Sequence, residues 1–484
     1  MSANTKPAYT APQMYIDGQW CDGSDGKYED VINPATEEVL GRIPHASSAD
    51  LDRALAAADK GFKVWSRTSA YDRATIIEKA AALMKERLEA IATAMTLEQG
   101  KVIAEARLET SVGADVVKWY AEEGRRAYGR IIPGRSPGAR QMVLKQPVGP
   151  AAAFTPWNFP VITPARKIAG ALAAGCSLII KASEETPAST ALMVRCFHDA
   201  GVPAGVLNLV FGVPSKVSEH VLRSPIIRKM SFTGSIPVGK HLARLAADGM
   251  KRVTMELGGH SPVMVFDDFD PAKAAQISVG GKYRNAGQVC VSPTRFFVQE
   301  KVYDEFVEKF TEGARKIKVG DGLEEGVQMG PLANSRRLQA MDGFVADAVE
   351  KGAKLATGGR RLGERGYFYA PTVLTDVPED ARVMNDEPFG PIAPIVRFKD
   401  LDEVLQRANA LPYGLASYAF TRSDATAIEL SNRIEAGLLG INNLTIALPE
   451  TPFGGMKESG YGSEGGVEGL DAYLTTKYVS EVGA

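Results

Sequence analysis

Residues 229–260 read KMSFTGSIPVGKHLARLAADGMKRVTMELGGH, and this stretch decides the fold. A β-rich run, Lys229–Thr233, stops at Gly234 and Ser235; a helix-length segment follows, and a second run, Arg252–Leu257, stops at Gly258 and Gly259. Working outward, runs of the same texture occur at Val148–Thr155, Ser177–Lys181, Val206–Phe211 and Pro262–Phe266. Short strand-like runs alternating with helical segments predict βαβ units and a mostly parallel sheet. Beyond Gly259 a second alternating region is expected, from a helix at Asp270–Arg284 through strands at Phe296–Val298, Ala370–Leu374, Ile395–Phe398, Ser417–Phe420 and Leu438–Ile441. Towards the N-terminus the pattern turns helical. Ser48 and Asp50 supply an N-cap signal for a helix over Ser47–Trp65, and further helices are predicted over Ala70–Glu89 and Ala104–Tyr120. A Gly/Pro-rich break, YGRIIPGRSPGA from Tyr128, separates them from the strands.

Composition limits what such a chain does. It has 484 residues, 45 % hydrophobic and 24 % charged, with 56 Lys+Arg against 58 Asp+Glu. This balance provides no basic face for nucleic acid or an anionic membrane, so small molecules are the expected partners. The apolar stretch Ile168–Ile180 is shorter than the roughly 20 residues a membrane span needs and reads as a buried helix running into a strand. The N-terminal MSANTKPAYTAPQMY lacks an apolar signal core, so a cytoplasmic location is expected. Four cysteines without a C-x-x-C pair and five scattered histidines predict neither a disulfide framework nor a metal site.

Open parallel sheets bind ligands beyond the carboxyl ends of their strands. This raises Trp157, Asn158, Lys181–Glu184, Gly212, Gly234, Ser235, Gly258 and Gly259 as ligand-facing candidates. Cys290, in RNAGQVCVSP, follows the small, flexible Ala286-Gly287; it reads as a reachable nucleophilic thiol or as a small buried hydrophobe. Cys176 fits the buried reading, and Cys21 and Cys196 have no polar setting that argues for activation. Glu256 ends a strand between apolar neighbours, where burial raises a carboxyl toward the range of a general base; a salt-bridged structural glutamate is the alternative. Asn158 lies in TPWNFP, a proline-pinned turn suited to an oxyanion donor, or to an Asn that merely makes its own turn. KASEETP from Lys181 offers a grip for ribose hydroxyls, or a helix start capped by Ser183 or Thr186. GSIPVGKH from Gly234 nearly matches a P-loop, but His241 replaces the metal-binding hydroxyl and Pro237 removes an N–H; a pyrophosphate site at a helix N-terminus remains.

Taken in order, PWNFP, KxxExTP, FTGS, ELGG, GQxC, ExFGP and PFGG resemble the NAD(P)-dependent aldehyde dehydrogenases over residues 14–480. The resemblance implies an α/β fold of two open parallel-sheet lobes plus a small bridging β-element. Residues 13–127 and 147–258 would form the NAD-binding domain, 259–470 the catalytic domain, and 128–146 with 471–484 an oligomerisation element of a homodimer or homotetramer. It assigns Cys290 as nucleophile, Glu256 as base, Asn158 as oxyanion donor and Glu464 as an acid assisting proton movement. Lys181 and Glu184 would hold the adenosine ribose, Trp157 and Ser235 the pyrophosphate, and Glu387 with Phe389 the nicotinamide ribose, with Gly212 and Gly234 also counted among the cofactor-binding residues. NAD is the expected cofactor, because the carboxylate of Glu184 repels a 2′-phosphate; NADP is the alternative, because Lys181 could pair with that phosphate.

WYAEEGRRAYG (119–129), Tyr283-Arg284-Asn285 and GYGSEGG (460–466) are similar to the succinate-semialdehyde and α-ketoglutarate-semialdehyde branch. Arg166 and Arg284 then fall where carboxylate-binding arginines stand, with Phe159, Trp119, Ala447 and Phe453 as substrate neighbours. Surface or interdomain ion pairing is the other reading of the two arginines. Ala447 departs from the serine of the succinate-semialdehyde enzymes, which keeps α-ketoglutarate semialdehyde and sulfonated aldehydes open as substrates. CoA-acylating relatives generally lack the base, and a catalytically silent homologue would not need the intact thiol, base and oxyanion set.

Overall fold

The computed structural model describes residues 9–482; Met1–Ala8 of the N-terminal stretch and Gly483 with Ala484 at the end of the bridging segment lie outside the described residues. Two sheets organise the chain. The first runs, edge to edge, through Gln19–Cys21, Met14–Ile16, Leu207–Val210, Leu178–Lys181, Ala151–Phe154, Lys229–Thr233, Arg252–Glu256 and Gly460–Tyr461. Its five central strands are parallel and its edges antiparallel. The second runs through Lys354–Thr357, Thr372–Thr375, Ile392–Phe398, Pro293–Gln299, Ser261–Val265, Ala416–Phe420 and Leu438–Ile441, antiparallel only at its first pair. The Pro262–Phe266 run, similar in texture to its predecessors, therefore belongs to the second sheet as Ser261–Val265. The central strands read as near-continuous apolar runs because helices cover both of their faces.

The chain passes from the last parallel strand of the first sheet to the second sheet within Leu257–His260. This short passage sets the carboxyl end of one sheet beside the start of the other. A third, antiparallel sheet joins Arg130–Pro133, Ala139–Pro147 and Leu474–Val482, so the Gly/Pro-rich break contains a strand that its composition hides. Among the described residues no helix is long and apolar enough to cross a membrane.

The helical N-terminal third differs in detail from expectation. The predicted Ala70–Glu89 helix ends at Glu86, and a separate helix, Leu88–Gln99, follows it across Arg87. The next, Ile103–Gly124, outruns its predicted end at Tyr120. The first helix, Ser48–Trp65, is capped by Ser47 rather than Ser48: the Ser47 hydroxyl accepts from Asp50 N while the Asp50 carboxylate accepts from Ser47 N at 3.0 Å. Gly61 lets this helix approach so closely that a Cβ there would stand 2.3 Å from the carbonyl carbon of Gly205. Trp65, fully buried, donates Nε1–H to Leu172 O at 2.8 Å and anchors the helix to the core.

Burial raises the Asp50 carboxyl, but hydrogen bonds from the backbone and hydroxyls of Ser24 and Ser47 outweigh it and leave the pKa lowered. A depressed carboxyl contributes stability that is full above about pH 4 and is lost as pH falls through the folded value. Asp50→Asn is accordingly expected to lower Tm at neutral pH, with the gap to the parent protein closing in acid, as read by thermal melts across pH.

Candidate active site

Cys290 follows a tight turn, Arg284–Gly287, between the Pro271–Tyr283 helix and the Pro293–Gln299 strand. Three successive residues of that turn are left-handed: Asn285 (φ 47°), Ala286 (φ 52°) and Gly287 (φ 72°). Such a conformation costs a non-glycine residue about 1–2 kcal/mol and persists only where the surroundings fix it. Here they do. Gln99 Nε2 donates to Asn285 Oδ1 at 2.8 Å, Asn285 N donates to Glu105 Oε2 at 2.9 Å, and Gln288 Nε2 donates to Asn285 O at 3.1 Å. Gln288 Oε1 in turn accepts from Ala333 N at 2.9 Å. Gly287 sits so close to the neighbouring loop that a Cβ would lie 2.2 Å from Gly390 O. Sequence reasoning misses Gln99 and Glu105, which are distant in the chain; the NAG run before Cys290 is the only local signal of this turn.

Asn158 is buried, and its Nδ2 donates to Gln288 O at 3.1 Å, which aims the amide at the Cys290 loop. Glu256 ends its strand at 2 % exposure, and neither carboxylate oxygen has a hydrogen-bond partner. Burial, then the charge of Glu464, holds its pKa well above the ordinary carboxylate value, against the pull of Lys167 and Arg166. Glu464 itself is satisfied: Lys167 Nζ pairs with it and Ser231 Oγ donates at 2.9 Å. A Cβ on Gly454 would stand 3.4 Å from Glu256 Oε1, and one on Gly259 would stand 3.2 Å from Cys290 O. The glycines of PFGG and ELGG thus border the Glu256 carboxylate and the Cys290 backbone. The half-buried Cys290 thiol is pushed up to about 12, by burial first and by Glu387 and Glu256 next, with Arg166 opposing.

Arg166, on the Ile162–Ala174 helix, is buried, stacks 4.3 Å from the Phe453 ring centroid, and leaves Nε and Nη2 without partners. Arg284 is exposed and lies 5.6 Å from the Phe159 ring. Neither forms an ion pair among the described residues, so the ion-pairing reading of the two is not what the structure displays. Beside the thiol's neighbours Val289 and Val291, a cavity of about 390 Å³ opens between Arg284, Tyr418 and Leu444. Trp119 packs edge-on against Tyr120, whose hydroxyl accepts from Gly465 N at 2.8 Å beside Glu464; Ala447 is half-buried against the second core.

The cofactor candidates fall on the strand ends. Lys181 Nζ pairs with Glu184 Oε1 at 2.7 Å. Neither proposed hydroxyl caps the next helix, Pro187–Ala200: Thr186 occupies the N-cap position without a side-chain bond and Ser183 Oγ donates to Glu185 at 2.6 Å. The buried Glu98 carboxylate instead takes Ala188 N at 2.9 Å and Ser189 N at 2.8 Å. Ser235 is the N-cap of Ile236–Asp248, and its exposed hydroxyl makes no cap bond, which leaves the first N–H groups open to an anion. Trp157 meets Phe389 edge-on at 5.5 Å, and Phe389 is held at φ 47° by Arg337, whose Nη2 donates to Phe389 O at 3.0 Å. Glu387 accepts from Gly259 N at 3.3 Å, and burial lifts its pKa to about 7 against that bond and the charges of Arg337 and Lys282. Gly212 directly follows the Leu207–Val210 strand and Phe211 at φ 140°, where a Cβ would stand 3.3 Å from Val217 Cγ2 and 3.4 Å from Ala46 N. Cys176 and Cys196 are buried; Cys21, contrary to the sequence reading, does have a polar partner, with Arg53 Nη2 donating to its sulfur at 3.1 Å, although burial still raises the thiol.

Residues 20–479 match the profile of the aldehyde dehydrogenase family. The chain belongs to that family. It is 48 % identical over 474 residues to a 4-(hydroxymethyl)benzenesulfonate dehydrogenase of Comamonas testosteroni, covering 98 % of this chain and 99 % of that one. It is 43 % identical to a 3-sulfolactaldehyde dehydrogenase of Pseudomonas putida, covering 98 % and 97 %. The solved succinate-semialdehyde dehydrogenase of Burkholderia pseudomallei superposes with a TM-score of 0.96 at 40 % identity, covering 99 % of both chains. Other solved relatives are complexes with NAD+.

Two outcomes are expected from this geometry. Because the thiolate is the reactive form and the Cys290 pKa is high, alkylation of the ligand-free enzyme by iodoacetamide should accelerate steadily from about pH 6 to about pH 9 without a plateau. Gly287→Ala should abolish most activity, since the added methyl group meets the Gly390 carbonyl; steady-state assays beside thermal melts read both effects.

Proposed function

We propose that this aldehyde dehydrogenase oxidises a short aldehyde bearing a terminal anion, succinate semialdehyde or a related semialdehyde, to the carboxylate. The observation that carries the reading is the Arg166 guanidinium: buried, stacked on Phe453, and short of partners at Nε and Nη2. Burying an unpaired cation costs several kcal/mol, and a ligand anion in the same space offsets that cost. Its planar fork suits a carboxylate or a sulfonate. Ala447 in place of a serine, together with the names of the sulfonate-handling relatives, favours a sulfonated aldehyde as the second reading.

Cys290 attacks the aldehyde carbon as thiolate, forming a thiohemiacetal whose oxyanion takes hydrogen bonds from Asn158 Nδ2 and the Cys290 N–H; one such donor is worth about 3–4 kcal/mol. A bound nicotinamide ring supplies the hydride acceptor. Glu256, a carboxyl that burial makes more basic than an ordinary one, takes a proton from the water that hydrolyses the Cys290 thioester. Glu464, with Lys167 and Ser231, lies next along the path for that proton. The open helix start at Ser235, with Trp157, fits a pyrophosphate, Lys181 and Glu184 fit the adenosine ribose, and Glu387 beside Phe389 fits the nicotinamide ribose. NAD+ is the preferred cofactor in this reading, because Glu184 repels a 2′-phosphate.

Residues 13–127 with 147–258 form the cofactor lobe in this proposal, and 259–470 the catalytic lobe, except that Gly460–Tyr461 crosses back to pair on the edge of the first sheet and Leu470 packs into its core. The three-stranded sheet, with exposed Ile131, Tyr478 and Val482, is the oligomerisation element of a homodimer or homotetramer.

An aldehyde panel with both cofactors tests the proposal. Succinate, glutarate and α-ketoglutarate semialdehydes and a sulfonated aldehyde should exceed a neutral aldehyde of equal length in kcat/KM; equal values overturn it. Arg166→Met should lower kcat/KM for the anionic substrate by about 100-fold, roughly 2.7 kcal/mol, and change the neutral one little. Glu184→Gln should shift preference toward NADP+ by about ten-fold.

A further inference from the structure

Behind Asn158 lies a buried ion pair that the chemistry above does not use. Lys101 Nζ and Glu109 Oε2 stand 2.5 Å apart, with side chains 1 % and 3 % exposed. Each partner has a second task. Lys101 Nζ also donates to the backbone carbonyl of Asn158 at 2.8 Å and sits 4.2 Å from the centre of the Phe159 ring. The other oxygen of Glu109 accepts from Val161 N at 2.9 Å and Ile162 N at 3.2 Å. Those two N–H groups open the Ile162–Ala174 helix, whose N-cap residue, Val161, provides no side-chain cap of its own. This is the helix that carries Arg166 and Lys167 into the site.

We propose that the Lys101–Glu109 pair is a positioning device that fixes the oxyanion donor and the substrate-facing arginine together. One carboxylate caps the arginine helix through Oε1 and, through Oε2, holds the ammonium that pins the Asn158 backbone. The pinned residue keeps its Nδ2 in place before the reaction starts, which is what makes an oxyanion donor effective. Lys101 is placed by Gln99, whose Oε1 accepts from Lys101 N at 2.9 Å while its Nε2 holds Asn285, so the same side chain sets Lys101 and the Cys290 turn. A pair serving stability alone would give no reason for its two ends to divide between the oxyanion loop and the arginine helix.

The inference rests on Asn158 acting as oxyanion donor, and the test separates the two claims. Lys101→Met combined with Glu109→Gln removes both charges, so no lone buried charge remains, and the glutamine oxygen can still accept from Val161 and Ile162. The measurements are kcat with the best aldehyde of the panel, KM for NAD+ and Tm, each in the parent and in an Asn158→Ala background. In the parent background kcat should fall about 100-fold, the order lost with one oxyanion donor, while KM for NAD+ stays within about two-fold. In the Asn158→Ala background the same changes should cost less than about two-fold, because the oxyanion donor is gone and the glutamine still caps the arginine helix. Equal losses in both backgrounds, or an unchanged kcat in the parent, overturn the positioning role. An Asn158→Ala variant with full kcat overturns the oxyanion assignment and this inference with it. Should the double variant fail to fold, Lys101→Gln combined with Glu109→Gln, which replaces the ion pair by two uncharged amides that can bond each other and still removes the ammonium from the Asn158 carbonyl, carries the same expectation and the same contradiction.

Discussion

The backbone carbonyl of Asn158 accepts two buried donors, Lys101 Nζ at 2.8 Å and Asn285 Nδ2 at 3.1 Å, and the rest of the site hangs on that double bond. One donor comes from the link between the helices Leu88–Gln99 and Ile103–Gly124, the other from the turn before Cys290. Asn158 is therefore tied at its backbone to both, while its side chain reaches Gln288. Loops expose polar backbone groups, and burying them demands partners for each. Here those partners hold the left-handed turn that presents the thiol. Folding supplies this order in advance, so little reorganisation is left for the reaction itself.

The charges divide into satisfied and waiting groups. Glu464, Glu98 and Glu109 have their hydrogen bonds within the protein. Glu256 has none, and Arg166 lacks partners at two of its nitrogens. Buried polar groups without partners are rare because each costs free energy, and they concentrate where a ligand completes them. In the proposed reading, the unpartnered carboxylate and guanidinium around a half-buried thiol await a carbonyl at the thiol, a water at the glutamate and an anion at the arginine. The near-zero net charge of the chain gives no general attraction for anions, so in the proposed reading selectivity for an anionic aldehyde rests on placed guanidinium groups.

Much of this was legible in sequence. Parallel strands such as Ala151–Phe154 and Leu178–Lys181 announced themselves because strands buried on both faces carry continuous apolar runs. The strand-end rule brought Asn158, Lys181 and Ser235 forward without any fold in hand. The resemblance to the aldehyde dehydrogenases added Glu464, Glu387 and Arg166, whose local patterns are ordinary. What stayed hidden was long-range polar satisfaction. Gln99, Lys101, Glu105 and Glu109 lie in a helical region where polar residues normally face water, and only tertiary contact turns them inward. The break at Arg87 was hidden for a similar reason, since helical periodicity runs on across it. Ser47 and Ser48 are chemically alike, and only the carboxylate of Asp50 reaching back decides which one caps.

The central claim is a covalent acyl enzyme on Cys290 that Glu256 releases to water. Intact-protein and peptide mass spectrometry of Glu256→Gln, mixed with NAD+ and the preferred anionic aldehyde, tests it most directly. With the base disabled, the account expects one acyl group per chain, added as a thioester on the peptide carrying Cys290 and removed by hydroxylamine. A variant that turns over at the parent rate, or an adduct on any residue other than Cys290, would contradict it.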